Sequence, residues 1–175
     1  MENTLISRAK AFATHHHGAI QQKHKYTGED YIVHPIEVSE IVALVTNDDA
    51  MIAAALLHDV VEDTPVNIED IEREFGAEVS ELVSGLTDVS TLADGSRKVR
   101  KEIDRQHTAK AGVRVHTIKL ADLISNSRSI IRHDPVFAKV YIAEKKLLLE
   151  VLAGGNADLF LHATNIVKSY EEFNK

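Results

Sequence analysis

The sequence predicts an all-α protein of about eight or nine helices, and three observations carry that expectation. Apolar residues recur three or four positions apart through almost every segment, as in Ile36, Val38, Ile41, Val42 and Val45, which is the spacing of a helix with one face in a core. Runs that alternate apolar and polar residues, the mark of a half-buried strand, are sparse throughout. Helix punctuation recurs instead: Thr, Asn or Asp before the periodic runs, and Gly or Pro after them.

Taken in order, Thr4 caps a first helix through Leu5, Ile6, Ala9 and Ala13 that ends near His17-Gly18. Gly18 to Val33 is polar and irregular, with a turn at Gly28. His34-Pro35 opens the second helix, with Pro35 at its first helical position, where a missing N–H costs nothing. A single helix is expected from Asp48 to Asp63: acids at its start suit the positive end of the helix dipole, Ala and Leu favour helix, and Pro65 stops it. Asn67 caps a short helix to Phe75, Gly76 closes it, and Val79, Leu82, Val83 and Leu86 mark the next. Asp88 to Gly95 is a loop leading into Arg97-Lys98-Val99-Arg100-Lys101, and a break falls within His107 to Gly112. Val113 to Arg132 forms a long helix; Asp134-Pro135 starts another that runs to Leu152 before Gly154-Gly155; Ala157 to Phe173 is the last.

The chain has 175 residues, 44% of them hydrophobic, enough for one globular domain over residues 1–175 with a real core. It has no cysteine, so thiolate sites are excluded and a reducing compartment suits it. Met1 to Ala13 has no uninterrupted apolar stretch of the kind a signal peptide needs, and no run is long enough to span a bilayer; a soluble cytoplasmic protein with no membrane partner is expected. A net charge of −7 argues against a nucleic-acid partner. The balance reverses locally: between Arg97 and Arg114 seven Lys or Arg stand against two acids, a place for a small anionic substrate.

The stretch His58-Asp59-Val60-Val61-Glu62-Asp63-Thr64-Pro65 concentrates reactive groups. On one continuous helix His58 would lie under Glu62 and Asp59 under Asp63, beside the apolar run Ala53 to Leu57. Burying acids there is costly unless something compensates them, and a divalent cation does so most strongly. Two other places offer ligands: His34 before Pro35, and Asp122, which shares a helical face with Lys119 and Asn126. Imidazoles and carboxylates without thiolates suit Mn, Fe or Zn with open positions, the setting for hydrolysis of a phosphate ester or anhydride. Each piece alone is ordinary: a His-Asp dipeptide arises by chance, Glu62-Asp63 is a common solvated helix end, and the bases near Arg97 are a common exposed face. The triplet His15-His16-His17 is not expected to bind metal, because adjacent helical residues point in different directions.

The combination resembles a known family. Tyr31-Ile32-Val33-His34-Pro35, then Ala55-Leu56-Leu57-His58-Asp59-Val60-Val61-Glu62-Asp63-Thr64, Phe75-Gly76, Lys119-Leu120-Ala121-Asp122, Asn126 and Arg128 match in order and spacing the hydrolase domain of the RelA/SpoT family. The similarity covers roughly Leu5 to Leu152 and is closest in kind to the stand-alone small alarmone hydrolases of the metazoan SpoT-homologue type. It implies an HD-domain helical bundle and a Mn2+ ion, or another divalent ion, held by His34, His58, Asp59 and Asp122. It implies removal of the 3′-pyrophosphate from guanosine tetra- or pentaphosphate, with Glu62 and Asp63 orienting or activating the attacking water. It further implies nucleotide contacts from Asn126 at the ribose, from Tyr141, and from the bases Arg97, Lys98 and Lys119. The sequence departs from the family at Lys23-His24-Lys25-Tyr26, where an Arg-Lys pair is usual; Lys25 is left as the cation for the guanine, and lysine brings a point charge rather than a stacking fork. Two alternatives stand beside this reading: a metal-dependent phosphohydrolase of another nucleotide, such as a 2′-phosphatase of NADPH, and a non-catalytic alarmone-binding module.

Overall fold

The computed structural model describes residues 4–174; Met1 to Asn3, part of the N-terminal stretch read above, lie outside them. Among the described residues there are ten α-helices, one 3-10 turn at Leu92–Asp94, and no strand beyond an isolated bridge between Lys23 and Asp30. The all-α expectation is met. No helix among these residues is long and apolar enough to cross a membrane. The chain divides into two compact units, residues 1–87 and 88–175.

The first unit is built around α3 (Asp49–Leu57), against which α1 (Leu5–Ala19), α2 (Val33–Ala43) and α6 (Ala77–Leu86) all pack. Every residue of α3 from Ala50 to Leu57 is buried, as a helix apolar on all sides requires. Asp48 starts it by accepting the amides of Ala50 and Met51 at 3.0 and 3.1 Å, satisfying donors that have no partner within the helix. α5 (Ile68–Phe75) pairs with α6 and opens on a capping box between Asn67 and Asp70.

The expected continuous helix from Asp48 to Asp63 is instead two. α3 stops at Leu57, His58 and Asp59 form a turn, and a single helical turn, α4 (Val60–Asp63), follows. The cause is local: His58 Nδ1 donates to the carbonyl of Ala55 at 2.7 Å, the very oxygen to which the Asp59 amide would bond in an unbroken helix. The backbone nonetheless stays in the helical region through His58 and Asp59, and the Asp63 amide bonds the Asp59 carbonyl at 3.0 Å, so Asp63 still follows Asp59 by one turn. A smaller difference concerns α2, which begins at Val33, so that Pro35 is its third residue rather than its first. That position tolerates proline too, because the first amides of a helix have no acceptor within it.

In the second unit α8 (Val113–His133) is the longest helix and packs on α7 (Arg97–Lys110), α9 (Pro135–Leu149) and α10 (Ala157–Phe173). The break before α8 falls at Ala111-Gly112, with Gly112 at φ 89°, a region L-residues avoid. α9 ends three residues before the expected Leu152, and its last turn is tightened by amides of Val151 and Leu152 bonding three residues back. Gly155 lies so close to α8 that a Cβ there would sit 2.8 Å from Leu120 Cδ1 and 3.1 Å from backbone atoms of His116 and Thr117. The loop from Asp88 is held by buried Asp104, whose carboxylate accepts the amides of Val89 and Ser90 at 3.0 and 2.9 Å and the Ser90 hydroxyl at 2.9 Å. Asp104→Ala removes all three bonds to a charged acceptor; urea denaturation is expected to show a loss of about 1.5–3 kcal/mol, and an unchanged midpoint would show that the loop is held by other contacts.

Candidate metal centre

The break after α3 creates the site. With its Nδ1–H committed to Ala55, His58 presents Nε2 as a lone pair, and that atom lies 3.0 Å from Asp59 Oδ2. His34, on the first turn of α2, brings its Nε2 to 3.7 Å from the same oxygen, and the two imidazoles meet edge to face at 5.3 Å. Both histidines are buried, and Asp59 is mostly so. One donor atom from each of His34, His58 and Asp59 falls within 4.8 Å of the others, and this is the one such group found among the described residues.

The donor set fits a divalent cation. A lone pair on neutral imidazole and a carboxylate oxygen at 3.0 Å need positive charge between them, and two nitrogens with one oxygen match a borderline ion. The supporting contacts match as well. Ligating histidines characteristically donate their second nitrogen to a carbonyl, as His58 does, and the Tyr31 hydroxyl donates to Asp59 Oδ2 at 2.6 Å.

Glu62 and Asp63 follow on α4, both exposed. Desolvation of its carboxyl, the largest influence, pushes Asp63 above the usual carboxylate range; the Gln22 hydrogen bond opposes this and the Asp59 charge adds to it. Gln22 Nε2 donates to Asp63 Oδ2 at 2.8 Å. Lys25 sits over the Tyr26 ring, its Nζ 4.8 Å from the centroid, and is exposed.

The remaining expected site residues belong to the second unit. Asp122 is buried on α8, 3.4 Å from Lys119 Nζ, and accepts from Asn126 Nδ2 at 2.6 Å, so the shared face of Lys119, Asp122 and Asn126 is real. Arg97 grips Glu144 with two bonds of 2.6 and 2.9 Å and lies over Phe137. Arg97, Lys98 and Lys119 line a cavity of about 810 Å³ with Lys101 and Lys145. Burial, reinforced by the Lys119 charge, lowers Lys145 to about 8. Tyr141 is buried on α9 with Lys145 over its ring.

Residues 9–149 match the family model of the HD domain. The chain belongs to the HD-domain family. This HD domain is 35% identical over 156 residues to the guanosine-3′,5′-bis(diphosphate) 3′-pyrophosphohydrolase MESH1 of Drosophila melanogaster, a match covering 85% of this chain and 86% of that protein. It is 39% identical over 152 residues to a probable guanosine-3′,5′-bis(diphosphate) 3′-pyrophosphohydrolase of Synechocystis, covering 85% of this chain but only 20% of that relative. The chain thus spans about a fifth of the length of that cyanobacterial protein. Among solved structures, a metazoan ortholog of SpoT described as hydrolysing ppGpp superposes with a TM-score of 0.85 at 31% identity, with 97% of each chain covered. The RelA/SpoT resemblance expected from the motifs is borne out across nearly the whole HD domain.

Three residues near the site were given no role from the sequence: Tyr31, Gln22 and His17. His17 had a signal, since it continues the four-residue spacing of Ala9 and Ala13, and all three are buried on one face of α1. The triplet itself forms no ligand cluster among the described residues, as expected. Tyr31→Phe keeps the ring and deletes only the bond to Asp59; isothermal titration with Mn2+ is expected to show an affinity about 10- to 100-fold weaker, and an unchanged affinity would remove Tyr31 from the site.

Proposed function

We propose that this HD domain is a Mn2+-dependent guanosine 3′,5′-bis(diphosphate) 3′-pyrophosphohydrolase, acting as one domain over residues 1–175 in the cytoplasm. Water adds to the phosphorus attached to the ribose 3′-oxygen, that P–O bond breaks, and pyrophosphate leaves with GDP or GTP as the other product. The observation that carries this reading is the convergence of His34, His58 and Asp59 donor atoms within 4.8 Å, one turn before Glu62 and Asp63. The substrate comes from the names of the relatives, which describe hydrolysis of this nucleotide in the fly protein and in the metazoan SpoT ortholog.

His34, His58 and Asp59 hold the ion, and Asp122 is proposed as a further ligand from the motif it shares with the family. Bound there, a divalent ion supplies Lewis acidity toward phosphoryl oxygen and makes water a better nucleophile near neutral pH. Glu62 and Asp63 orient the attacking water and take its proton. The raised Asp63 pKa is the direction that suits a base working near neutrality. Lys25 is assigned to the guanine, Asn126 to the ribose, and Tyr141, Arg97, Lys98 and Lys119 to the rest of the nucleotide and its phosphates, where the local excess of bases opposes the overall charge of −7.

Purified protein loaded with Mn2+ is expected to release pyrophosphate from guanosine tetraphosphate, and to stop when the metal is chelated. Glu62→Ala is expected to lower kcat by about two to four orders of magnitude with the metal retained, whereas Asp122→Ala loses the metal, as read by elemental analysis. A metal-loaded protein that leaves guanosine tetraphosphate intact while removing the 2′-phosphate of NADPH would reassign the substrate, and one that binds guanosine tetraphosphate without turnover would make it a binding module.

A further inference from the structure

Asp63 sits on a helix of one turn, four residues long. A single turn has almost no stability of its own, since fixing its dihedrals yields too few hydrogen bonds. The aim of the Asp63 carboxylate is therefore set by what holds it from outside. That contact comes from the irregular segment after α1: Gln22 Nε2 donates to Asp63 Oδ2 at 2.8 Å.

A glutamine amide can present either its NH2 or its oxygen, and only the NH2 satisfies a carboxylate. The choice is made at the other end of the same side chain. Gln22 Oε1 lies 2.7 Å from His17 Nδ1; an amide oxygen only accepts, so Nδ1 carries the proton, and a flipped amide would set oxygen against the Asp63 carboxylate. His17 is itself immobilised, with 1% exposure on the α1 face it shares with Ala9 and Ala13. Its ring packs 4.9 Å from that of Tyr31, whose hydroxyl donates to Asp59. One buried imidazole thus touches both arms, Tyr31 toward the candidate ligand Asp59 and Gln22 toward Asp63.

We infer that Gln22 and His17 are positioning residues for Asp63: Gln22 tethers its carboxylate, and His17 fixes which way round the Gln22 amide stands. The catalytic consequence rests on the reading of Asp63 as a group that handles the attacking water. The tether itself does not depend on that reading.

Gln22→Met keeps the side-chain length and removes both bonds. Steady-state hydrolysis of guanosine tetraphosphate by the Mn2+-loaded variant is expected to show kcat lowered roughly 10- to 100-fold, the range for a misplaced reacting group, with KM, metal content and melting temperature unchanged. A kcat close to wild type overturns the inference, and so does a joint loss of metal, melting temperature and activity, which marks a structural residue. The second readout needs no activity. In the 15N-labelled, metal-free protein, the side-chain amide resonances of Gln22 are expected to shift in both His17→Phe and Asp63→Asn; resonances indifferent to Asp63→Asn overturn the tether. Should wild type fail to turn over guanosine tetraphosphate while the Gln22 resonances still respond, the substrate assignment falls and the tether stands.

Discussion

One hydrogen bond decides how the rest of the first unit is used: the 2.7 Å bond from His58 Nδ1 to the Ala55 carbonyl. It has three effects at once. It takes the acceptor that would have continued α3, so the helix ends where the fully buried run ends. It fixes the tautomer, leaving Nε2 as a lone pair. And it turns that lone pair toward Asp59. A histidine whose Nδ1 was left to water would carry the proton on either nitrogen, and α3 would run on past the site. Packing reinforces the bond, since residues from Ala50 to Leu57 have nowhere else to go, so the position of His58 is set by the core and its chemistry by one carbonyl.

The irregular stretch between α1 and α2 is the counterpart of that constraint. Such a loop is poor in apolar contacts, yet here it carries Gln22 to Asp63 and, at its end, Tyr31 to Asp59. Both bonds have carboxylate acceptors, and a hydrogen bond to a charged partner is worth about 1.5–3 kcal/mol, more than its neutral counterpart. The loop is thus ordered in part by the same acids it orients. The other polar residues of the segment pair with one another, Lys23 with Asp30 and Thr27 with His24, and hold the turn that carries the two tethers.

Much of this was legible in the residues. Thr4, Asp48, Asn67, Asp134 and Asn156 all cap the helices they precede; Thr4, Asn67 and Asp134 could be named because a side-chain acceptor ahead of a periodic run suits a cap, whereas Asp48 was read only as an acid at the positive end of the helix. The motif set brought His34 and His58-Asp59 together, and the structure gathers these three. What periodicity hid was the break at His58-Asp59. A pattern of apolar spacing reports which side chains seek a core and is blind to a side chain that captures a backbone carbonyl. Ala, Leu and Val continue across the break with helical spacing, so nothing in their order betrays it. Tyr31 and Gln22 were hidden for the same reason: each acts through one bond to a residue at least 28 positions away, and no local pattern encodes that.

The bases of the second unit show how an acidic protein holds positive charge in a partly enclosed cavity. Arg97 is forked onto Glu144, Lys101 donates a single bond to Asp88, and Lys119 lies against Asp122. Each pair lowers the cost of holding a cation in a partly enclosed cavity, where lysine otherwise tends to lose its proton, as the lowered Lys145 shows. The acids also fix the side chains in place, so the rotamer entropy of these donors is already spent. Glu144 holds Arg97 in its charged form, and Asp122 and Asp88 oppose the loss of the Lys145 proton, so a few local acids keep these bases charged within an acidic chain.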